Sequence, residues 1–254
     1  MGTHLFDLTG CRILVTGSSM GIGLALSRGL AEHGAHVILN ARNTERLQAA
    51  AHSLDKDGLS VSASAFDVTD PNAVEKAVAM IEKDGPLDGL INNAGMQFRT
   101  ALEDFPHEKW DELFDTNVKS AFLVGQAVAK RMIPRGKGRI VNIASVQSEL
   151  ARPSIAPYTA TKGAVRNLTR GMATDWAQHG LQINAIAPGY FKTPLNQALV
   201  DDPAFTDWLE KRTPAGRWGN VEELQGAAVF LMSDAASFIN GQTIYVDGGI
   251  TASI

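Results

Sequence analysis

The chain has 254 residues, 44% of them hydrophobic and 20% charged, with a formal net charge of −4 and one cysteine, Cys11. That length suits a single large α/β domain, residues 1–254, able to bury a substantial core. The acidic balance argues against a nucleic-acid or anionic-membrane partner, and the lone thiol excludes an intrachain disulfide and suits a reducing cytoplasm.

No apolar run approaches the ~20 residues of a membrane span. Met1–Gly10 lacks the basic start and apolar stretch of a signal peptide. Phe6 stands where a myristoylation signal opening at Met1-Gly2 wants Ser or Thr. No targeting segment or membrane association is therefore expected.

In chain order, the first expected strand is Ile13–Thr16, followed by a helix over Ile22–His33 that stops at Gly34. Next come strand His36–Leu39 and helix Thr44–Lys56, then strand Val61–Phe66 and helix Asn72–Lys83, the last opened by Asp70-Pro71. Strand Leu87–Asn92 precedes one long helix, His107–Met132; strand Gly138–Ala144 precedes helix Tyr158–His179. Strand Leu181–Ala187, helix Val221–Met232 and strand Thr243–Val246 complete the pattern. Most strands are near-continuously apolar, as in a parallel sheet buried on both faces. The alternation predicts right-handed crossovers and a Rossmann-type, doubly wound α/β sheet of about seven strands. Residues 188–219 break it, with prolines and glycines near the ends and Trp208 and Trp218 within. Ligands in such folds sit beyond the carboxyl ends of the strands, so this segment is a candidate substrate lid.

Thr16-Gly17-Ser18-Ser19-Met20-Gly21-Ile22-Gly23 joins the first strand to the first helix. Glycines there let the backbone approach a pyrophosphate at a helix N-terminus. Gly17, Ser19, Met20, Gly21, Ile22 and Gly23 are the expected cofactor contacts along this turn. The second strand ends Leu39-Asn40-Ala41-Arg42, without the acidic residue that reads ribose hydroxyls in NAD sites. Arg42 offers a guanidinium fork to a 2′-phosphate, so NADP(H) is expected over NAD(H). Asp67-Val68 is placed to receive the adenine, and Asn93, Ala94 and Gly95 let the cofactor lie against the backbone.

Tyr158 and Lys162 are four residues apart near a helix start and share a face. An ammonium within about 4–6 Å lowers a tyrosine pKa by about one to three units, which would make Tyr158 a usable proton-transfer group. Ser145 ends the preceding strand and can hydrogen-bond the reacting oxygen. Asn117 can hold a water linking Lys162 to solvent. The histidines are scattered, and His33-x-x-His36 spans a helix–strand junction, so no metal is expected.

These motifs together resemble the short-chain dehydrogenase/reductase family along the whole chain. The matching residues are Gly17, Gly21 and Gly23, Asn93, and the tetrad Asn117, Ser145, Tyr158 and Lys162. The resemblance implies metal-free hydride transfer between an alcohol and a ketone and commonly a homotetramer built through the two long helices. It also assigns Pro188, Gly189 and Thr193 to the nicotinamide end. Ser145–Pro153, Ile155–Tyr158, Ala187–Thr193 and Lys211–Trp218 are similar to the branch of that family interconverting D-gluconate and 5-keto-D-gluconate. Where that branch often reads Ile-Gln-Arg-Arg, this chain has Met96-Gln97-Phe98-Arg99. A six-carbon acid needs a cation, for which Arg99 is the first candidate and Lys192 and Arg152 are alternatives. Gln147 and Glu149 are candidates for reading its hydroxyls. The alternatives are reduction of a 3-oxoacyl thioester or another polyol, and a non-catalytic NADP(H)-binding sensor, which need not retain Tyr158 and Lys162.

Overall fold

The inner strands are apolar on both faces: Ile13, Leu14, Val15, Leu90 and Ile91 are at most 1% exposed. Such strands are stable only with helices on both sides. The computed structural model describes residues 4–253; Met1–Thr3, including the Met1-Gly2 expectation, and Ile254 lie outside the described residues.

Seven strands pair in one parallel sheet: β1 (Arg12–Val15), β2 (His36–Leu39), β3 (Val61–Ala63), β4 (Gly89–Asn92), β5 (Gly138–Ile143), β6 (Leu181–Pro188) and β7 (Thr243–Val246). Their order is β3-β2-β1-β4-β5-β6-β7, all neighbours parallel. Helices α1 (Gly21–Glu32), α2 (Thr44–Lys56) and α9 (Gln225–Met232) cover one face, where Leu26, Leu30, Leu47 and Val229 pack on Val15, Val37 and Leu39. Helices α3 (Pro71–Ile81), α5 (Ser120–Met132) and α6 (Ala156–Trp176) cover the other, through Val74, Val78, Val124, Val128 and Met172. The order reverses between β1 and β4, which opens a crevice beyond their carboxyl ends.

All seven expected strands are present, and three expectations need correction. The strand expected over Val61–Phe66 pairs only to Ala63. The Ser64 N–H still donates to the Leu39 carbonyl at 2.8 Å, but the Ser64 and Phe66 carbonyls accept from Asn40 Nδ2, both at 3.1 Å, so from there a side chain takes over from the ladder. The helix expected unbroken over His107–Met132 divides into α4 (His107–Phe114), a π turn at Asp115–Lys119, and α5. The π turn holds Asn117, whose buried side chain is committed to the bonds described below. Residues 188–219 are partly helical: α7 (Gln197–Val200) and α8 (Pro203–Arg212) lie within them, with Asp202 capping α8. Their ends are pinned together, since Phe191 bridges Gly219 and the Lys192 N–H donates to the Gly219 carbonyl at 3.0 Å.

Candidate active site

The turn between β1 and α1 is held by side chains distant in sequence. Asn93 Nδ2 donates to the Thr16 and Gly17 carbonyls at 3.0 and 2.9 Å, and Thr16 Oγ1 accepts from the Asn93 and Ala94 N–H groups. A Cβ on Gly23 would lie 2.5 Å from both Asn93 Nδ2 and the Gly17 carbonyl oxygen, so this clamp demands glycine. Helix α1 then starts with no side-chain cap from Met20 and no acid in its first turn. Its leading N–H groups therefore face the crevice with the positive end of the helix dipole. At Gly21, with φ +57°, the space a Cβ would occupy is open to within 3.8 Å, leaving room for a close-lying phosphate.

A cavity of about 430 Å³ runs from this turn to the 188–219 segment. Gly17, Met20, Gly21, Ile22, Gly23, Asn93 and Gly95 line one end, and Pro188, Gly189 and Thr193 its middle. Ser145, Tyr158 and Lys162 share the wall opposite, and Arg99 and Gln147 stand at the far end. None of its described lining residues is acidic.

Strand β5 delivers Ser145, and α6 presents Tyr158 and Lys162 one turn apart on its sheet-facing side. Lys162 is 6% exposed and its Nζ donates to the Ile143 carbonyl at 2.7 Å; it sits 5.7 Å from the centroid of the Tyr158 ring. Burial holds the Lys162 ammonium down at about 8. Burial also pushes the Tyr158 hydroxyl up to about 12, against an opposing hydrogen bond from Ser145 and the charges of Arg99 and Arg152. The expected lowering of Tyr158 by Lys162 is therefore absent from the protein alone: loss of hydration outweighs the neighbouring charges, and the ammonium is committed to Ile143.

The tetrad asparagine differs from expectation in what its side chain does. Asn117 Oδ1 accepts from the Met96 N–H at 2.8 Å, while Nδ2 donates to the Met96 carbonyl at 3.0 Å and to Thr161 Oγ1 at 3.1 Å. The side chain is thus a clamp between α6 and the loop carrying Gly95 to Arg99.

The cofactor residues expected outside the cavity lie at the β2 and β3 ends. Arg42 is exposed and pairs with Asp67 at 3.7 Å. Asp67 Oδ1 accepts from the Thr69 N–H and hydroxyl; against the cost of partial burial, these bonds and Arg42 hold its carboxyl below the ordinary value. Val68 is buried in the core, so only its backbone faces outward. Ser19 and Ala94 shape the turn without lining the cavity.

Two expected substrate residues are not brought to the cavity. Glu149 is exposed and is paired with Arg166 and with the Tyr245 hydroxyl, which donates at 3.1 Å. Lys192 is exposed on the outer side of its turn. Phe98, which departs from the related branch, packs edge-on against Phe105 and does not line the cavity. Conversely, Arg152, only an alternative cation from sequence, does line it, as does Tyr190. Two further residues had no local signal. Asn40, 1% exposed, ties the glycine turn to the β3 end, and Arg46 on α2 reaches Met20 Sδ at 3.3 Å.

The parallel sheet, the glycine turn and the Ser-Tyr-Lys wall define an NAD(P)-type oxidoreductase. The family model described as enoyl-(acyl carrier protein) reductase matches residues 17–251, and the chain belongs to the short-chain dehydrogenase/reductase family. It is 64% identical over 251 residues to a gluconate 5-dehydrogenase of Gluconobacter oxydans, with 98% of each chain covered. It is 49% identical to a 5-keto-D-gluconate 5-reductase of Escherichia coli, covering 98% of this chain and 99% of that one. Among solved structures, a gluconate 5-dehydrogenase from Burkholderia cenocepacia in complex with NADP and tartrate superposes with a TM-score of 0.98, at 54% identity and full coverage of both chains.

Proposed function

We propose that this chain is an NADP(H)-dependent gluconate 5-dehydrogenase, interconverting D-gluconate and 5-keto-D-gluconate with Tyr158 as general acid and base. The observation that carries the reading is one acid-free cavity joining the glycine turn, the Ser145–Tyr158–Lys162 wall and the guanidinium of Arg99. The substrates of the two relatives and the NADP and tartrate bound by the Burkholderia protein support it.

The nicotinamide supplies or accepts the hydride. Gly17 to Gly23, with Asn93 keeping their turn closed, would hold the pyrophosphate, and Arg42 with nearby Arg46 the 2′-phosphate. Asp67 and the Val68 backbone would meet the adenine, with Gly95 beside it, and Pro188, Gly189 and Thr193 the carboxamide end. In reduction the substrate oxygen lies between Ser145 and Tyr158, so the Tyr158 O–H donates to it as negative charge develops. In oxidation Tyr158 takes that proton back, with the Ser145 hydrogen bond and the charges of Arg99 and Arg152 lowering the cost of the phenolate. The carboxylate lies toward the end of the cavity that carries the guanidiniums of Arg99 and Arg152, and Gln147 reads a hydroxyl.

Residues 188–219 act as the lid. We further propose a cytoplasmic homotetramer; no described helix is long and apolar enough to cross a membrane, and Trp110 and Phe122 leave apolar surface on α4 and α5.

The test is a set of parallel initial-rate assays with 5-keto-D-gluconate against NADPH and NADH, and with an acetoacetyl thioester. Turnover of the keto acid, faster with NADPH, is expected. Turnover of the thioester alone would replace this reading by acyl reduction in the same fold.

A further inference from the structure

The far end of the cavity carries two guanidiniums, Arg99 and Arg152, and neither forms an ion pair among the described residues. Arg99 is engaged by the Gln97 side-chain oxygen at 3.0 Å. Arg152 is less well supplied. Its Nη1 makes only a long bond to the Pro153 carbonyl, at 3.4 Å, and its Nε is buried without a partner. Beside it the Tyr190 hydroxyl accepts from Gln147 Nε2 at 3.3 Å. Gln147 is 6% exposed, and its Oε1 is also buried without a partner. One wall thus offers the Arg152 Nε–H and the Gln147 Oε1, each buried without a hydrogen-bond partner, a costly arrangement unless something completes it, while the rest of the half-buried Arg152 guanidinium lies against the Tyr190 hydroxyl.

The backbone around Arg152 is held in place at some expense. Ser154 adopts φ +69°, an unfavourable region for a residue with a Cβ. Its carbonyl accepts from the Thr100 N–H at 3.3 Å, which joins the Arg152 loop to the Arg99 loop. On the other side the Arg152 guanidinium lies 5.6 Å from the centre of the Phe205 ring. Phe205 packs with Tyr190, Trp208 and Trp218, all within residues 188–219.

We propose that Arg152 and Gln147 form a subsite for the α-hydroxycarboxylate end of an aldonic acid, and that Arg152 ties this end to the 188–219 segment through Phe205 and Tyr190. The carboxylate accepts from the Arg152 Nε–H and an Nη–H in a side-on fork. The neighbouring 2-hydroxyl donates to Gln147 Oε1. This assignment rests on the sugar-acid reading above and extends it by naming which end of the acid lies where.

The test is calorimetric titration of the NADPH-loaded protein, which cannot turn over D-gluconate, with D-gluconate and 2-deoxy-D-gluconate. Arg152→Gln is expected to weaken D-gluconate roughly 10- to 100-fold, as for a lost charged hydrogen bond, with Arg152→Lys in between and NADPH affinity within about twofold of the parent. Gln147→Ala is expected to weaken D-gluconate but not the 2-deoxy acid. Unchanged D-gluconate affinity in Arg152→Gln, or an equal loss of NADPH affinity, would overturn the proposal. If the parent protein binds D-gluconate through Arg152 yet does not reduce 5-keto-D-gluconate, the reaction assignment fails and the subsite stands. If Arg152→Gln reduces the keto acid with an unchanged KM, the subsite fails and the reaction stands.

Discussion

With its hydroxyl held up at about 12 in the cofactor-free protein, Tyr158 keeps its proton throughout the neutral range, so the donor form is always populated, as a weaker acid than a free phenol, and the phenolate is scarce. The rate of keto-acid reduction is therefore expected to be flat between pH 6 and 8, whereas alcohol oxidation, which needs the phenolate, should rise with pH over the same interval. Paired pH–rate profiles check this, and a reduction rate falling as pH rises from 6 to 8 would refute it. Tyr158→Phe should lower turnover by about 10²–10⁴-fold, the usual span of a lost proton-transfer group, while NADPH binding measured by fluorescence persists.

Lys162 gives a stability signature of its own. Its folded value of about 8 lies below the 10.5 of an unperturbed lysine. Between those two values the unfolded chain holds a proton that the folded chain does not, so this group's contribution to stability rises with pH across that window. Below the window it imposes a penalty on the fold. Urea denaturation of the cofactor-free protein should show Lys162→Met losing that pH dependence, a change on the order of 3 kcal/mol at most. Curves that run parallel from pH 8 to 10.5 would mean that Lys162 stays charged. At the other end of the site, Arg42→Ala should raise the KM for NADPH more than that for NADH, and equal effects would refute its 2′-phosphate role. Arg42 could be singled out because it follows directly on the β2 end. Arg46 could not, because its approach to Met20 exists only once α2 packs beside the glycine turn.

At the level of elements, two connections carry the site. The glycine turn stays closed because Asn93, from the end of β4, donates two bonds into it. The loop bearing Arg99 stays against α6 because the π turn aims Asn117 at Met96. Replacing Asn117 by Leu strands the Met96 N–H and carbonyl and should cost about 1–3 kcal/mol. It should also raise the KM for the keto acid more than that for NADPH, as steady-state kinetics beside a thermal melt would show. The strand–helix alternation was readable from hydrophobic runs and glycine stops. The π turn was not, because its cause is a loop some twenty residues earlier (Asn117 bonds Met96 at a separation of 21) and hydrophobic spacing hardly registers one extra residue in a turn. Helix α7, at 4 residues, is too short to set up a period, whereas α8, at 10, opens on Asp202-Pro203 with the same signal that Asp70-Pro71 gives α3 and is legible in the sequence on that ground.

For the molecule as a whole, the charge distribution is the informative property. A chain of net charge −4 encloses a cavity lined by Arg99, Arg152 and Lys162 and by no described acid, so anion binding is local and composition alone conceals it. The proposed tetramer is checked by sedimentation at micromolar concentration, where a species near four times 27.1 kDa is expected and a monomer would refute it. Features written in neighbouring residues were legible without a structure: the glycine turn, the Tyr158–Lys162 spacing, the parallel sheet and the serine at the end of β5. They rest on backbone geometry and helical periodicity, which short stretches of chain impose by themselves. The partner each polar side chain takes was beyond such reading. Glu149 was a reasonable substrate contact until Arg166 and Tyr245 were found to hold it, and Arg152 stood behind Arg99 until the cavity wall brought both together. The acidity of Tyr158 belongs with these, since its direction depends on water excluded by every element around it. Those outcomes are set by packing between segments far apart in the chain.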